Sequence, residues 1–235
     1  MYKKETIKKY LEMARYYMEK YSNAREDELK LCISKRNVKV PCMNVSTAPI
    51  IACFNCSHCM DYCYDVKACL RFPEHVLEKR VINYVLATKY RSRYFAEIDK
   101  LFTARRKCKF FRWHQAGEIL DMDYLQEMVN TALRHPDWKY WTYTKVYGLV
   151  NQFCRMHGGR NAIPENLVIM FSGWDGVPME NPYGFPEFHC KLKDGNTDHG
   201  PEFFESLYKC PGACGICIES GRGCPFGESA YADEH

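Results

Sequence analysis

The sequence predicts an α/β fold: a partial or complete β/α (TIM-like) barrel with an N-terminal helical extension and two cysteine-rich segments. Three observations lead there. Short aromatic-rich runs alternate with amphipathic stretches through the middle of the chain, and a strand–helix–strand–helix–strand order implies a parallel sheet with crossover helices. The 235 residues suit one domain with a full-sized core. Eight of the fourteen cysteines lie in two short runs, one on each side of the alternating region.

The elements follow in chain order. Residues 3–20 read as an amphipathic helix, with Ile7, Tyr10, Leu11, Ala14 and Tyr17 at helical spacing. A polar stretch, 22–30, links it to an extended or looped segment at 38–52 that Pro41 and Pro49 punctuate. After the first cysteine run come two helices, 73–88 and 91–104, the first with Pro73 suited to its opening turn. Residues 109–114 read as a buried strand, 121–134 as a helix with an acidic start, and 139–144 as a strand. A helix over 146–156 is stopped by Gly158-Gly159, and 166–171 is a third strand. Beyond Trp174 the chain turns loop-rich and ends in the second cysteine run.

Composition excludes several classes. An aromatic share of 14% is incompatible with a largely disordered chain. No apolar run approaches the ~20 residues that span a bilayer, so no membrane partner is expected. The basic N-terminus is followed by a mixed helix and not by an apolar signal core, which points to the cytoplasm. In that compartment thiols stay reduced, so clustered cysteines read as metal ligands before disulfides. The formal charge of +4 is too modest to indicate nucleic acid by itself.

Cys53, Cys56, Cys59 and Cys63 have the spacing C-x2-C-x2-C-x3-C of bacterial ferredoxins, with Tyr64 in place of the usual proline. Two intervening residues let the loop curl so that successive sulfurs reach different irons while backbone N–H groups face the cluster. Cys210, Cys214, Cys217 and Cys224 offer a second set, with Gly212 and Gly215 allowing close turns. The expected cofactors are two [4Fe-4S] clusters, with zinc as the alternative at the C-terminal run, because four thiolates also make a structural zinc site. His58 is a further donor inside the first run, and Cys42 and Cys69 flank it as substitutes. Lys67, Arg71, Lys209 and Arg222 lie near the runs in sequence and can offset thiolate charge. The domain boundaries follow: a helical extension over 1–37 and an iron–sulfur α/β domain over 38–235, with cluster segments at 53–63 and 210–224.

In parallel α/β architectures ligands collect at the carboxyl ends of the strands. His114, Glu118, Lys145 and Asp175 emerge there and form a candidate acid–base pocket, expected to open beside the first cluster. The alternative is that they are ordinary polar caps on buried strands.

The ordered set Ser46-Thr47, Cys53, Cys59, Cys63-Tyr64, Arg112-Trp113-His114, Gly117, Tyr143-Thr144-Lys145 and a C-terminal cysteine cluster resembles a phage family called gene product eighty-eight, from about Val40 to Cys224. That resemblance implies an iron–sulfur protein of phage origin with no assigned reaction. More distantly, a cysteine cluster ahead of a β/α half-barrel, with Gln115-Ala116-Gly117-Glu118 after a strand, looks like a radical S-adenosylmethionine enzyme. In that family a Gly-Gly-Glu segment at this point holds the methionine moiety, and the ligand spacing is C-x3-C-x2-C. Here Cys56, Cys59 and Cys63 run in the opposite order and Val66 stands where a cysteine is needed, so the resemblance implies shared architecture without S-adenosylmethionine cleavage.

Three functional expectations follow. The first is cluster binding for electron transfer, redox sensing or a structural role, with a redox partner protein, in the host cytoplasm. The second is a cluster-dependent enzyme with an open iron, and whether the chain is an enzyme at all is left open. The third is a nucleic-acid-binding accessory protein, suggested by Arg91, Arg93, Arg105, Arg106, Lys107 and Lys109.

Overall fold

The computed structural model describes residues 4–35, 39–56, 59–104, 106–173, 178–191 and 199–233. Helix α1 (Lys4–Ser22) buries Ile7, Tyr10, Ala14 and Tyr17, one stripe of its surface, and packs against α2 (Tyr64–Arg71) and α3 (Glu78–Lys89). The Tyr10 hydroxyl donates to the Pro49 carbonyl, so the N-terminal helix shares the main core with the rest of the chain. A short strand β1 (Ile33–Ser34) pairs antiparallel with β2 (Met43–Val45). Helix α3 is entered through a π turn at Pro73–Leu77, and α4 (Arg91–Thr103) follows directly.

The alternating region then runs β3 (Phe110–Arg112), α5 (Met122–Arg134), β4 (Lys139–Thr144), α6 (Tyr147–Met156) and β5 (Leu167–Gly173). Asp121 starts α5: its carboxylate accepts the Tyr124 amide at 2.8 Å and grips the Arg91 guanidinium through two bonds of 2.8 and 2.6 Å. The chain continues through β6 (Glu187–Lys191), α7 (Pro201–Glu205), β7 (Tyr208–Lys209), α8 (Cys214–Ser220) and β8 (Ala230–Asp233).

These strands form one sheet in the order β1-β2-β3-β4-β5-β6-β8-β7, parallel at every pairing except β1–β2. From β2 to β6 spatial order equals chain order, the winding of a β/α barrel wall. The sheet nevertheless stays open, with β1 and β7 as its edges, so the complete barrel is not formed among the described residues. The reason lies in what covers the two faces. Phe111, Trp113, Tyr140, Leu167, Ile169 and Phe171 pack under the helices. Phe110, Trp141, Tyr143, Val168, Met170 and Phe188 on the other face pack against Cys214, Ile218 and Cys224 of the C-terminal segment. That segment occupies the side that further strands would otherwise enclose.

Candidate metal centres

The first cysteine run leaves the carboxyl end of β2 and closes on itself before α2. The Met60 amide donates to the Cys56 carbonyl at 2.8 Å, the Cys63 amide to Met60 at 3.3 Å, and the Val66 amide to Cys63 at 3.1 Å. This curl brings the four thiols within electrostatic reach of one another. Burial pushes the Cys53 and Cys56 thiols up and takes Cys63 to about 11. They stay protonated at neutral pH, unlike activated nucleophiles. Cys69, sealed on α2, lies next to Cys63, and burial raises it to about 12. His58 lies outside the described residues.

The strand-end residues separate into two groups. Glu118 is 5% exposed and accepts bonds from the Ile119 amide at 2.8 Å, the Thr144 hydroxyl at 2.7 Å and the Lys145 amide at 2.8 Å. Burial raises its pKa against the pull of those donors, and its charge reaches Cys53. Lys145 donates through Nζ to Ser172 Oγ at 2.8 Å, accepts the Asn55 side-chain amide on its carbonyl at 2.8 Å, and lies close enough to favour the Cys56 thiolate. Glu118 and Lys145 thus adjoin the first run. His114 instead turns into the helical layer, with Nδ1 3.0 Å from Thr142 Oγ1 and Nε2 3.0 Å from the Tyr124 hydroxyl. Burial, helped by nearby Arg112, depresses it to about 3, so it is a neutral core histidine. Asp175 lies outside the described residues.

Gly117 fixes the height of this shelf. Its φ is +96°, and a Cβ there would fall 1.8 Å from Thr47 Oγ1. The Thr47 amide donates to the Ala116 carbonyl at 3.0 Å, and the Ala116 amide donates to Ser46 Oγ at 3.3 Å. Backbone contact at this closeness locks the loop after β3 onto the loop that leads to Cys53.

The second run is anchored at its start by two backbone bonds: the Cys210 amide to Tyr231 at 2.7 Å and the Cys214 amide to Lys39 at 2.7 Å. Gly223, at φ +75°, lets the returning turn approach Cys217 Sγ, 3.0 Å from where a Cβ would be. Cys210, Cys214, Cys217 and Cys224 feel one another's charge, and burial raises Cys214 and Cys217 and takes Cys224 to about 12. The Tyr143 and Tyr208 hydroxyls face Cys224 and Cys217. Arg112 reaches Cys214, Nη1 to Sγ at 3.9 Å, and stacks over the Tyr143 ring at 4.9 Å. Its Nε is sealed from solvent without a hydrogen-bond partner, and no carboxylate pairs with it among the described residues. Cys42, which flanks the first run in sequence, joins this second group, where burial raises it to about 12 beside Cys108 and Cys214.

Among the described residues no three His, Cys, Asp or Glu side chains stand close enough to grip a single metal ion. None of the fourteen cysteines is in a disulfide. The basic stretch is largely neutralised: Arg91 pairs with Asp121, Arg93 with Glu97 and Lys109 with Asp137. Arg106 and Lys107, with Lys35, Pro41, Cys42, Met43 and Cys108, line a shallow cavity, and Arg105 lies outside the described residues. No helix among the described residues is long and apolar enough to cross a membrane.

Arg112, Tyr143 and Cys42 were the site residues hardest to find in advance. The available signal was strand parity, since Phe110/Arg112 and Trp141/Tyr143 alternate onto the face opposite Phe111 and Tyr140. Nothing local shows that the C-terminal cysteines cover that face.

Comparison with known proteins is consistent with the motif set. No curated protein and no solved structure matches the chain. The family model described as Gene product 88 matches residues 12–183. The match begins earlier than the motifs suggest, within α1, and takes in the first cysteine run, Arg112, Glu118 and Lys145. It stops short of Cys210. On a match over well beyond half its length, the chain belongs to the Gene product 88 family.

Proposed function

We propose that this phage-type protein holds two [4Fe-4S] clusters, one on Cys53, Cys56, Cys59 and Cys63 and one on Cys210, Cys214, Cys217 and Cys224. Its role is electron transfer or redox sensing in the host cytoplasm, with a redox partner protein. What supports the reading is the ferredoxin-like spacing of the first run and a second four-cysteine run, the thiols within each run being near enough to influence one another, with Arg112 at Cys214 and no carboxylate paired with it among the described residues. Leaving the buried Arg112 Nε donor unsatisfied costs ~1–3 kcal/mol, so this half-buried guanidinium calls for an anion beside it. Protonated thiols do not supply one, whereas thiolates bound to a cluster do. Soft sulfur donors at the ferredoxin spacing suit iron–sulfur, and zinc on the C-terminal set meets the same charge requirement. Four cysteines per cluster saturate the irons, which favours carrying electrons over binding substrate.

The test is anaerobic purification followed by iron, sulfide and zinc analysis and Mössbauer spectroscopy. The expected protein is brown, absorbs broadly near ~400 nm and contains acid-labile sulfide. Colourless protein carrying only zinc refutes the reading. Cys56→Ser and Cys214→Ser should each impair one cluster and leave the other loaded.

A second reading, a radical-type enzyme, draws on one observation: Glu118 stands beside Cys53 at the carboxyl end of the sheet. Its carboxylate is already engaged by three donors that staple the ends of β3 and β4, which favours a structural role. Reduced, reconstituted protein incubated with S-adenosylmethionine should give no 5′-deoxyadenosine above a cluster-free control. Catalytic formation of that product would establish the enzyme reading and make Glu118 the first residue to replace.

A further inference from the structure

Among the described residues Arg80 pairs with Asp65, Arg91 with Asp121 and Arg93 with Glu97. Arg112 has no carboxylate partner among them. Its guanidinium is held on one side by the Tyr143 ring, and Nη1 is directed at Cys214. Nε, shut away from water, has no acceptor among the described residues. Arg112 also lies between the two cysteine groups along the chain of contacts. The Tyr64 hydroxyl, one residue beyond Cys63, bonds to the Gln115 carbonyl just past the end of the Arg112 strand. The C-terminal thiols have graded support: Cys214 has Arg112, Cys224 has Tyr143 and Cys217 has Tyr208, while Cys210 sits at the rim.

We infer that Arg112 is the positioning residue that sets the charge balance of the C-terminal cluster and raises its reduction potential. This rests on the iron–sulfur reading above. Reduction adds one electron, supplied in the test by dithionite, and hence one negative charge; no bond forms or breaks and no proton need move. A fixed guanidinium next to Cys214 stabilises the more negative state, because in a water-poor site its attraction is poorly screened. The same cation stabilises the oxidised, thiolate-bound state less strongly. A merely structural arginine would support the Tyr143 ring and leave the potential where it was.

The experiment is an EPR-monitored redox titration of the full-length, anaerobically purified protein and of Arg112→Lys and Arg112→Met. The C-terminal potential is identified as the one missing from Cys214→Ser. In Arg112→Met, which keeps much of the volume without the charge, that potential should shift downward and the first cluster's should move less. In Arg112→Lys it should return towards wild type. If Arg112→Met fails to load the cluster, Arg112→Gln takes its place. Failure of both neutral variants while Arg112→Lys loads at the wild-type potential also supports the charge role. An unchanged potential in a loaded neutral variant overturns the inference, as does loss of the cluster in Arg112→Lys, since shape and not charge would then matter. Absence of iron and sulfide from the wild-type protein would instead remove the iron–sulfur reading itself, a separate outcome.

Discussion

Replacing Gly117 by alanine tests whether the shelf beneath the first cysteine run is held by backbone contact. Two costs add. The φ of +96° is outside the range that L side chains adopt easily, and holding a residue in such a region costs ~1–3 kcal/mol. The new methyl would lie 1.8 Å from Thr47 Oγ1, so the loop before Cys53 must shift, an overpacking cost of ~1–3 kcal/mol. Together these give about 2–6 kcal/mol. For a chain of this size each kcal/mol moves Tm by ~2–4 °C, so Gly117→Ala should melt several degrees to roughly 20 °C lower. Thr47 supplies the control. Its hydroxyl is buried without a partner, so Thr47→Ala alone should be near neutral or slightly stabilising. In the double variant the methyl no longer meets the hydroxyl, and the steric part should be recovered while the φ part remains. Thermal unfolding of the four proteins by circular dichroism gives the cycle. A Gly117→Ala stability within about 0.5 kcal/mol of wild type, or a purely additive double variant, refutes the reasoning.

Three further outcomes are expected. His114 is depressed from 6.5 to about 3, so the unfolded chain binds a proton that the native chain refuses; its contribution is intact above pH 6.5 and is lost as pH falls towards 3. At pH 5 that amounts to ~2 kcal/mol, and His114→Asn should flatten the urea-midpoint profile between pH 7 and 4.5; an unchanged slope counts against a neutral core histidine. Cys42→Ser should alter the spectrum of the C-terminal centre and spare the first, and Cys69→Ser the reverse; the opposite pattern would contradict the grouping of Cys42 with Cys214 and of Cys69 with Cys63. Asp121→Ala removes the cap of α5 and the Arg91 clamp, a loss of ~1–2 kcal/mol that should lower Tm by about 2–8 °C, and a shift under 1 °C would show that neither contributes.

The sequence by itself determined the longer helices α1 and α3 to α6 and the central strands β3 to β5, but not the shorter helices α2, α7 and α8. Periodicity alone places α1, α4, α5, β4 and α6 to within a residue or two, because each has a repeat long enough to register, and it places α3 together with the π turn at Pro73–Leu77 that opens it. The cysteine spacings likewise determined which thiols travel together, since side chains a few residues apart cannot separate far. Short strands were another matter. With three residues between two prolines, β2 carries no period, and β6 and β8 lie in a loop-rich stretch, so strands there are recognisable only once a neighbour pairs with them. Tertiary structure decided that the sheet stays open and that the C-terminal cysteines cover its second face. It moved Cys42 to the second thiol group and turned His114 into the core while leaving Glu118 beside Cys53 and Lys145 beside Cys56. It also set Arg112 against Cys214, a contact between residues 102 positions apart. The physical reason is the same throughout. Local spacing governs what a segment can become, but burial, charge compensation and which face a strand presents are properties of the packed sheet and exist only after distant segments meet.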